Sequence, residues 1–275
     1  LYNGVWVVNP TIDSSINTGV NNIKDDNNTP LSTTNTLISQ NIKPLPNNSS
    51  NENEVINVNA NNYNTITIGT QVWMKENLNV TTFRNGDPIP EAKSDDEWES
   101  ASNKRQPAWC YYDRTPPIAN SLTMNGIKCN DTIHIESYGK LYNWYAANDP
   151  RGLAPKGFHV PTNEDWEKLI DFYGGYKVAG KKMKSTNGWN EYMDINSKVI
   201  KSGNGSIKHG FTGFPGGYRN DFGTFRFLGD DGVWWGGSNG NIDAGWCLTL
   251  MYLHNEVTLG GSSKGDGFSV RCLKD

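Results

Sequence analysis

Thr162-Asn163-Glu164-Asp165-Trp166-Glu167-Lys168-Leu169-Ile170-Asp171-Phe172-Tyr173, followed by Gly174-Gly175, is the stretch whose periodicity settles the structural class. Trp166, Leu169, Ile170 and Tyr173 fall at i, i+3, i+4 and i+7, one apolar face of a helix over residues 164–173. Thr162 with Asp165 is a capping box in which Asp stands for Glu, and the glycine pair stops the helix. Outward from it, strand-like runs dominate. Residues 66–74 alternate like a half-buried hairpin with Gly69-Thr70 at the turn, and Asn85-Gly86, Pro88 and Pro90 mark the next loop. Ser94 caps a second helix over 95–101. After Gly203 the pattern is short strands and Gly-rich turns with no further helix: 249–259 alternates loosely, and 267–273 closes the chain as a strand. The class that follows is α+β, with few helices and much loop.

The chain has 275 residues, with 25 Lys+Arg against 29 Asp+Glu and a formal net charge of −4. A nucleic-acid groove or an anionic membrane surface calls for a basic excess, so neither is an expected partner. Much of the polarity is uncharged, carried by Asn, Ser, Thr and Gly, which suits an extracellular or cell-surface protein. No apolar run reaches the ~18 residues of a membrane span. The sequence begins at Leu1 and shows no signal segment, which points to a form exported through a signal already removed. Ten Trp, twelve Tyr and nine Phe lie almost entirely after residue 60, enough for a sizeable aromatic core. Residues 1–64 contain 18 Asn and no Arg, too few apolar groups to offset the ordering entropy of a separate core. The expected organisation is an extended Asn/Ser-rich segment over 1–62, with a strand at 1–8, and a globular domain over 63–275. In that strand Tyr2, Val5, Trp6, Val7 and Val8 are strand formers without local partners. The ~55 residues after it span on the order of 40 Å as a coil, so it could pair within its own chain or with another copy.

The string Tyr138-Gly139-Lys140-Leu141-Tyr142-Asn143-Trp144-Tyr145-Ala146-Ala147, then Leu153-Ala154-Pro155-Lys156-Gly157-Phe158-His159-Val160-Pro161 running into Thr162, closely resembles the Fibrobacter succinogenes major paralogous domain family. So do Ile68-Gly69-Thr70-Gln71-Val72-Trp73-Met74-Lys75-Glu76-Asn77-Leu78, Phe214-Pro215-Gly216-Gly217-Tyr218-Arg219, Trp234-Trp235 and Gly267-Phe268-Ser269-Val270-Arg271-Cys272. The resemblance runs from about residue 63 to the end. It implies a C-type-lectin-like α+β domain with two helices, a small twisted antiparallel sheet and long ordered loops, related to formylglycine-generating-enzyme domains and to retroelement variable proteins, in exported or surface-attached bacterial proteins. That fold hosts several kinds of function, so function must come from the site. Trp73, Trp144, Trp166 and Phe268, each in a matching string with apolar neighbours, are expected in one core.

Catalytic motifs are sparse. A formylglycine-generating enzyme needs a closely spaced reactive Cys pair, whereas Cys247 and Cys272 are 25 residues apart. Four cysteines without CxxC spacing favour two disulfides, Cys110–Cys129 closing a local loop and Cys247–Cys272 joining late strands; the alternative is four buried thiols. His134, His159, His209 and His254 are scattered, and His159 reads as a satisfied core imidazole. Adjacent acids such as Asp95-Asp96 and Asp230-Asp231 read as cap and turn residues. No metal site is expected. Calcium is weighed because sugar-binding lectins use it, but Trp189-Asn190-Glu191 only approximates their Trp-Asn-Asp element. The resemblance to variable proteins of this fold implies an exposed binding face on the late loops and strands, where Asn220, Asp221, Thr224, Arg226, Ser238, Asn239, Asn241, Asp243, Tyr252, His254 and Glu256 are mixed polar and aromatic residues suited to adaptable recognition; the alternative is an ordinary solvent-facing surface. The leading expectation is a non-enzymatic recognition or adhesion protein with a glycan or protein ligand. The alternative is a structural subunit polymerising with copies of itself through the strand at 1–8, and a hydrolase or oxidase ranks last.

Overall fold

The computed structural model describes residues 63–112, 138–207, 209–239 and 242–275. The strand at 1–8 and Cys129 therefore lie outside the described residues, as does Asn241. In chain order the elements are β1 (Thr65–Ile68), β2 (Gln71–Met74), α1 (Asp95–Asn103), β3 (Trp109–Cys110), β4 (Leu141–Asn143), α2 (Trp144–Ala147), β5 (Phe158–His159), α3 (Asn163–Phe172) and α4 (Tyr176–Met183). They continue as β6 (Glu191–Met193), β7 (Ile200–Ser202), β8 (Tyr218–Arg219), β9 (Phe225–Arg226), β10 (Asp231–Asn239), β11 (Ala244–Met251), β12 (Val257–Ser263), β13 (Gly267–Phe268) and β14 (Leu273–Lys274). The architecture is α+β, with four helices and four sheets among the described residues. Strand orders are β1-β2-β14-β5, β10-β11-β12, β3-β4-β13-β8-β9 and β6-β7. No helix of the described residues is long and apolar enough to cross a membrane.

Local sequence explains the expected elements. Gly69, at φ +59°, turns the β1–β2 hairpin, and a Cβ there would come 2.9 Å from the Phe172 ring. Both expected helices carry complete capping boxes, Ser94 with Glu97 and Thr162 with Asp165. Trp166, Leu169 and Ile170 line the buried face of α3, and Gly174 and Gly175 end it at φ +102° and +90°.

Two further helices are present. α2 is a single turn whose N-cap, Asn143, accepts from the Ala146 N–H. α4 carries Gly180 at its centre, a residue that weakens a helix by ~1 kcal/mol against Ala. Its reason is contact: a Cβ on Gly180 would lie 2.4 Å from the Glu256 carbonyl oxygen. The helix backbone packs directly on the turn between β11 and β12.

The expected closing strand is two strands separated by a crossing segment. β13 pairs with β4 and β8, whereas β14 lies between β2 and β5. Between them Ser269 exchanges backbone hydrogen bonds with Val233 and Trp235, Val270 O accepts from Leu78 N, and Cys272 O accepts from Met74 N. The last residues thus stitch three sheets together.

The four aromatic residues expected in one core divide between two. Trp73 and Trp166 pack with Phe211, Trp234, Leu248 and Leu250, while Trp144 and Phe268 pack with Tyr142, Trp235 and Cys247. Adjacent strand residues point to opposite faces. Trp234 and Trp235 are both fully buried, so the β10-β11-β12 sheet is covered on both sides and separates the clusters.

The Cys247–Cys272 disulfide does not form. Both are free, buried thiols. Cys247 sits in mid-sheet opposite Trp235 and Gly260, whereas Cys272 precedes β14 in another sheet, so the expected neighbouring strands are not neighbours. The Cys110–Cys129 pairing falls on a residue outside those described. Burial pushes both the Cys247 and Cys272 thiols up to about 12, the opposite of a reactive thiolate. Iodoacetamide should label Cys247 and Cys272 only after unfolding, as peptide mapping of native and denatured protein will show. Replacing Trp166 by Ala, at 0 % exposure, should cost roughly 3–5 kcal/mol, read as a lowered chemical-denaturation midpoint.

Candidate functional site

The face expected from the late sequence resolves into two patches at opposite ends of β11. Its eight residues, Ala244–Met251, separate the ends by about 24 Å at ~3.4 Å per residue. One patch gathers Asn220, Asp221, Thr224 and Asp243 at the end of β11 where Gly245 pairs with Asn239, which follows Ser238 on β10, and Ala244 pairs with Ser263. The other holds Tyr252, His254 and Glu256, and Arg226 leads into it, because the next residue, Phe227, accepts at its carbonyl from Asp230 N and the Asp230 carbonyl accepts from Tyr252 N.

The first patch is built on the β8–β9 hairpin, with Tyr218 opposite Arg226 and Arg219 opposite Phe225. Asn220 closes its turn: its N–H donates to Thr224 O at 2.9 Å, and its Oδ1 accepts from Thr224 N at 2.8 Å. Asp221 links the turn to the loop between β12 and β13. Its N–H donates to Asp266 Oδ1 at 3.0 Å, and its carboxylate accepts from Ser263 Oγ at 3.2 Å. In that loop Lys264 N donates to Asp243 O, and Asp243 also pairs with Arg105.

Arg219 anchors the hairpin from beneath. Buried to 2 % exposure, it donates to Gly223 O at 2.7 Å, Ala92 O at 3.0 Å and Asp95 Oδ1 at 2.9 Å. Its guanidinium lies over the Trp98 and Phe225 rings. With the base held, the outer side carries exposed Phe222, Thr224, Arg226 and Phe227. Phe227 stands at φ +59°, a left-handed backbone that is costly for a bulky residue. Its carbonyl accepts from both Asp230 N and Asp231 N. The ring, 49 % exposed, lies 5.8 Å from Tyr218 at 32°.

The second patch is held by α4 and the residue after it. Lys184 Nζ donates to Met251 O at 2.9 Å and His254 O at 2.8 Å, and burial pulls its ammonium down to about 8. Here the Tyr252 ring meets Tyr192 edge-on.

Phe222 and Asp266 belong to the first patch, while Tyr218 and Phe227 lie at the other end of the same hairpin, beside Asp230 and Asp231; none of the four was among the residues expected in this face. An aromatic residue beside Gly223 in an Asn-Asp-x-Gly turn was a usable signal for Phe222. Nothing in the sequence signals the backbone of Phe227, which is set by the carbonyl contacts after it.

Other expected chemistry is occupied or dispersed. Among the described residues no three His, Cys, Asp or Glu side chains come together to hold a metal. In the lectin-like Trp-Asn-Glu string, Trp189 donates to Ser185 Oγ and Gly213 O, and Asn190 Nδ2 donates to Asp230. His159 is partly exposed rather than a core residue, because its ring bridges Asp165 and Asp275 at the surface. Asp95 binds Arg219, and Asp231 is half-buried.

Burial, with Asp230 beside it, pushes Asp231 up to about 6; burial, reinforced by Asp221, pushes Asp266 up to about 6. An unfolded Asp titrates near ~3.9, so between ~3.9 and about 6 the folded state keeps protons that the unfolded state has released. The resulting stability is complete below pH ~4 and is lost as pH rises through about 6. Asp231→Asn should therefore raise the denaturation midpoint over the parent protein at about pH 7.5, with the gap closing at about pH 4, as parallel denaturation curves will show.

The family model described as the Fibrobacter succinogenes major domain matches residues 66–274. No curated protein and no solved structure matches the chain.

Proposed function

The chain belongs to the Fibrobacter succinogenes major domain family, and from that membership and the β8–β9 surface we propose a non-enzymatic recognition or adhesion protein acting outside the cell or at its surface. In this reading the fold is a C-type-lectin-like variant. Two principal helices, short antiparallel strands and long loops support it. The ligand is a glycan or a protein that contacts the outer side of the β8–β9 hairpin.

One observation carries the proposal: Phe227 is kept on a left-handed backbone that glycine would occupy at no steric cost, and its ring is turned to solvent beside Tyr218. Strain of this kind persists where surrounding contacts impose it, and it clusters at functional positions. Rigid aromatic rings offer contact area at low entropy cost, and Arg226, Thr224 and Asn220 add hydrogen-bonding groups around them. Export and a surface location are supported by the uncharged polar composition.

A second reading, a structural subunit of an extracellular assembly, draws on the β6–β7 hairpin, which presents aliphatic side chains to solvent.

Phe227→Gly separates recognition from stability, because it removes the ring while relieving the backbone. On a glycan array and a panel of purified surface proteins, the parent protein should bind a defined class saturably. Phe227→Gly and Phe222→Ala should each weaken that binding by roughly tenfold or more, with the thermal midpoint of Phe227→Gly unchanged or raised. Undiminished binding by both variants would remove this hairpin as the site.

A further inference from the structure

The hairpin formed by β6 and β7 stands apart from the larger sheets. Met193, Ile195, Val199 and Ile200 are 55 %, 77 %, 55 % and 59 % exposed, four aliphatic side chains within eight positions. Solvent-facing sheet residues are ordinarily polar, so a cluster of this kind marks a surface that something covers.

Register shows what the hairpin offers. Glu191 pairs with Ser202, Tyr192 with Lys201 and Met193 with Ile200. Asp194 N donates to Val199 O, and Gly203 N donates to Asn190 O. Hydrogen-bonded and non-bonded pairs alternate in an antiparallel ladder. The 194–199 and 190–203 pairs are bonded, so the N–H and C=O groups of Ile200 and Ser202 point outward along the β7 edge. No further strand among the described residues pairs with that edge.

The two faces differ as well. Tyr192 contacts Tyr252, so its face turns toward the β11–β12 turn. Met193 and Ile200, directly opposite each other, share the other face. The charge nearest the edge, Lys201, is paired with Asp194, which leaves the outward row of Ile200 and Ser202 uncharged. An edge normally protected by a free lysine is therefore open to a strand.

We propose that the β7 edge, with the Met193–Ile200 face beside it, is the acceptor for the strand at residues 1–8 of a second copy of this chain. Within residues 1–62, Val5-Trp6-Val7-Val8 is the longest uninterrupted apolar run. Its alternate side chains, Val5 and Val7 or Trp6 and Val8, supply an apolar row to continue the one at Met193 and Ile200. No charged side chain occurs in 1–8, matching an uncharged edge. The 54 residues between this strand and the described domain give reach on the order of 40 Å as a coil, enough to bridge neighbouring copies. Donor and acceptor are different surfaces, so the contact is heterologous and adds copies head to tail, as an open filament unless the rotation between copies closes a ring. The proposal rests on the structural-subunit reading and gives it an acceptor.

Ile200→Pro tests it, because proline removes the outward N–H of β7 while leaving the inward ladder intact; Ile200→Lys tests it by charge. In sedimentation velocity across a concentration series, the full chain should form higher-order species. Deletion of residues 1–10 and each Ile200 variant should give monomer, with the thermal midpoint retained by at least one Ile200 variant. A labelled peptide of residues 1–8 should bind the deleted protein saturably and bind its Ile200→Pro and Ile200→Lys forms roughly tenfold more weakly or worse. Self-association lost on deletion but kept in both Ile200 variants would overturn the acceptor while leaving strand exchange standing. A monomeric full chain with a binding-competent deleted protein would place the strand on its own chain and overturn the second copy. A monomeric full chain with no peptide binding would overturn both the acceptor and the subunit reading.

Discussion

Arg271 carries a full charge into the interior, at 1 % exposure, and the groups that meet it are neutral. Asn77 Oδ1 accepts from Arg271 Nε at 3.0 Å, from its Nη2 at 2.8 Å and from Trp234 Nε1 at 2.9 Å. Phe211 supplies both a carbonyl to Nη1 and a ring face to the guanidinium. Burial pulls the guanidinium down to about 10. A buried cation is tolerable only when its donors are satisfied. Here satisfaction requires residues 77, 211, 234 and 271, far apart in the chain, to arrive together. Asn77 in turn donates to Tyr138 O at 2.8 Å, fixing the residue that leads into β4. The crossing segment between β13 and β14 is thereby held by a side chain as well as by its backbone.

The same device recurs wherever a loop must be ordered without a ladder. Lys140 reaches Asn79 and Tyr111 with its ammonium over the Trp109 and Tyr111 rings; Lys184 takes carbonyls of the β11–β12 turn; Arg219 takes Gly223 O and Ala92 O. Cations bonded to backbone carbonyls satisfy acceptors that short strands leave over, and aromatic faces add attraction at close range. This explains how strands of two to four residues support long connections. It also explains the two surfaces. Arg219 fastens one side of the β8–β9 hairpin and frees the other for contact, while Lys184 fixes the turn against which the β6–β7 hairpin rests through Tyr192 and Tyr252.

Legibility in the sequence followed the range of the interactions. The β1–β2 hairpin and helices α1 and α3 were readable because their signals are local: a turn glycine, two capping boxes, one apolar periodicity. α4 was not, since Gly180 makes sense only once the Glu256 carbonyl is seen against it. The division into two cores was hidden for a similar reason: Trp234-Trp235 reads as one aromatic pair until a sheet buried on both faces sends the rings apart. Spacing could not exclude a Cys247–Cys272 bond, because it does not say which strands become neighbours. For the surface, the sequence located the polar residues of the β8–β9 turn, but β11 runs between that turn and Tyr252, His254 and Glu256.

That separation has an energetic consequence. Substitutions more than ~7–10 Å apart that share no partners usually add, whereas residues in one network couple. The tip of the β8–β9 hairpin draws on Arg219, Asp95 and Asp266, and the far end of the β6–β7 hairpin draws on Asp194 and Lys201, but at their bases the two meet at Asp230, whose N–H donates to Phe227 O, whose carbonyl accepts from Tyr252 N and whose carboxylate accepts from Asn190 Nδ2. Substitutions at the far ends, Phe222 and Ile200, should therefore add, whereas substitutions at Phe227 and Tyr252 should couple through Asp230. Arg271 and Asn77 hold Trp234 of β10, the strand that starts against Phe227 O and pairs with β11 as it runs toward Tyr252. A change at Arg271 should be felt at both surfaces through the fold and a change at Phe227 should reach Tyr252 through Asp230, whereas a change at Ile200 should remain where it is made.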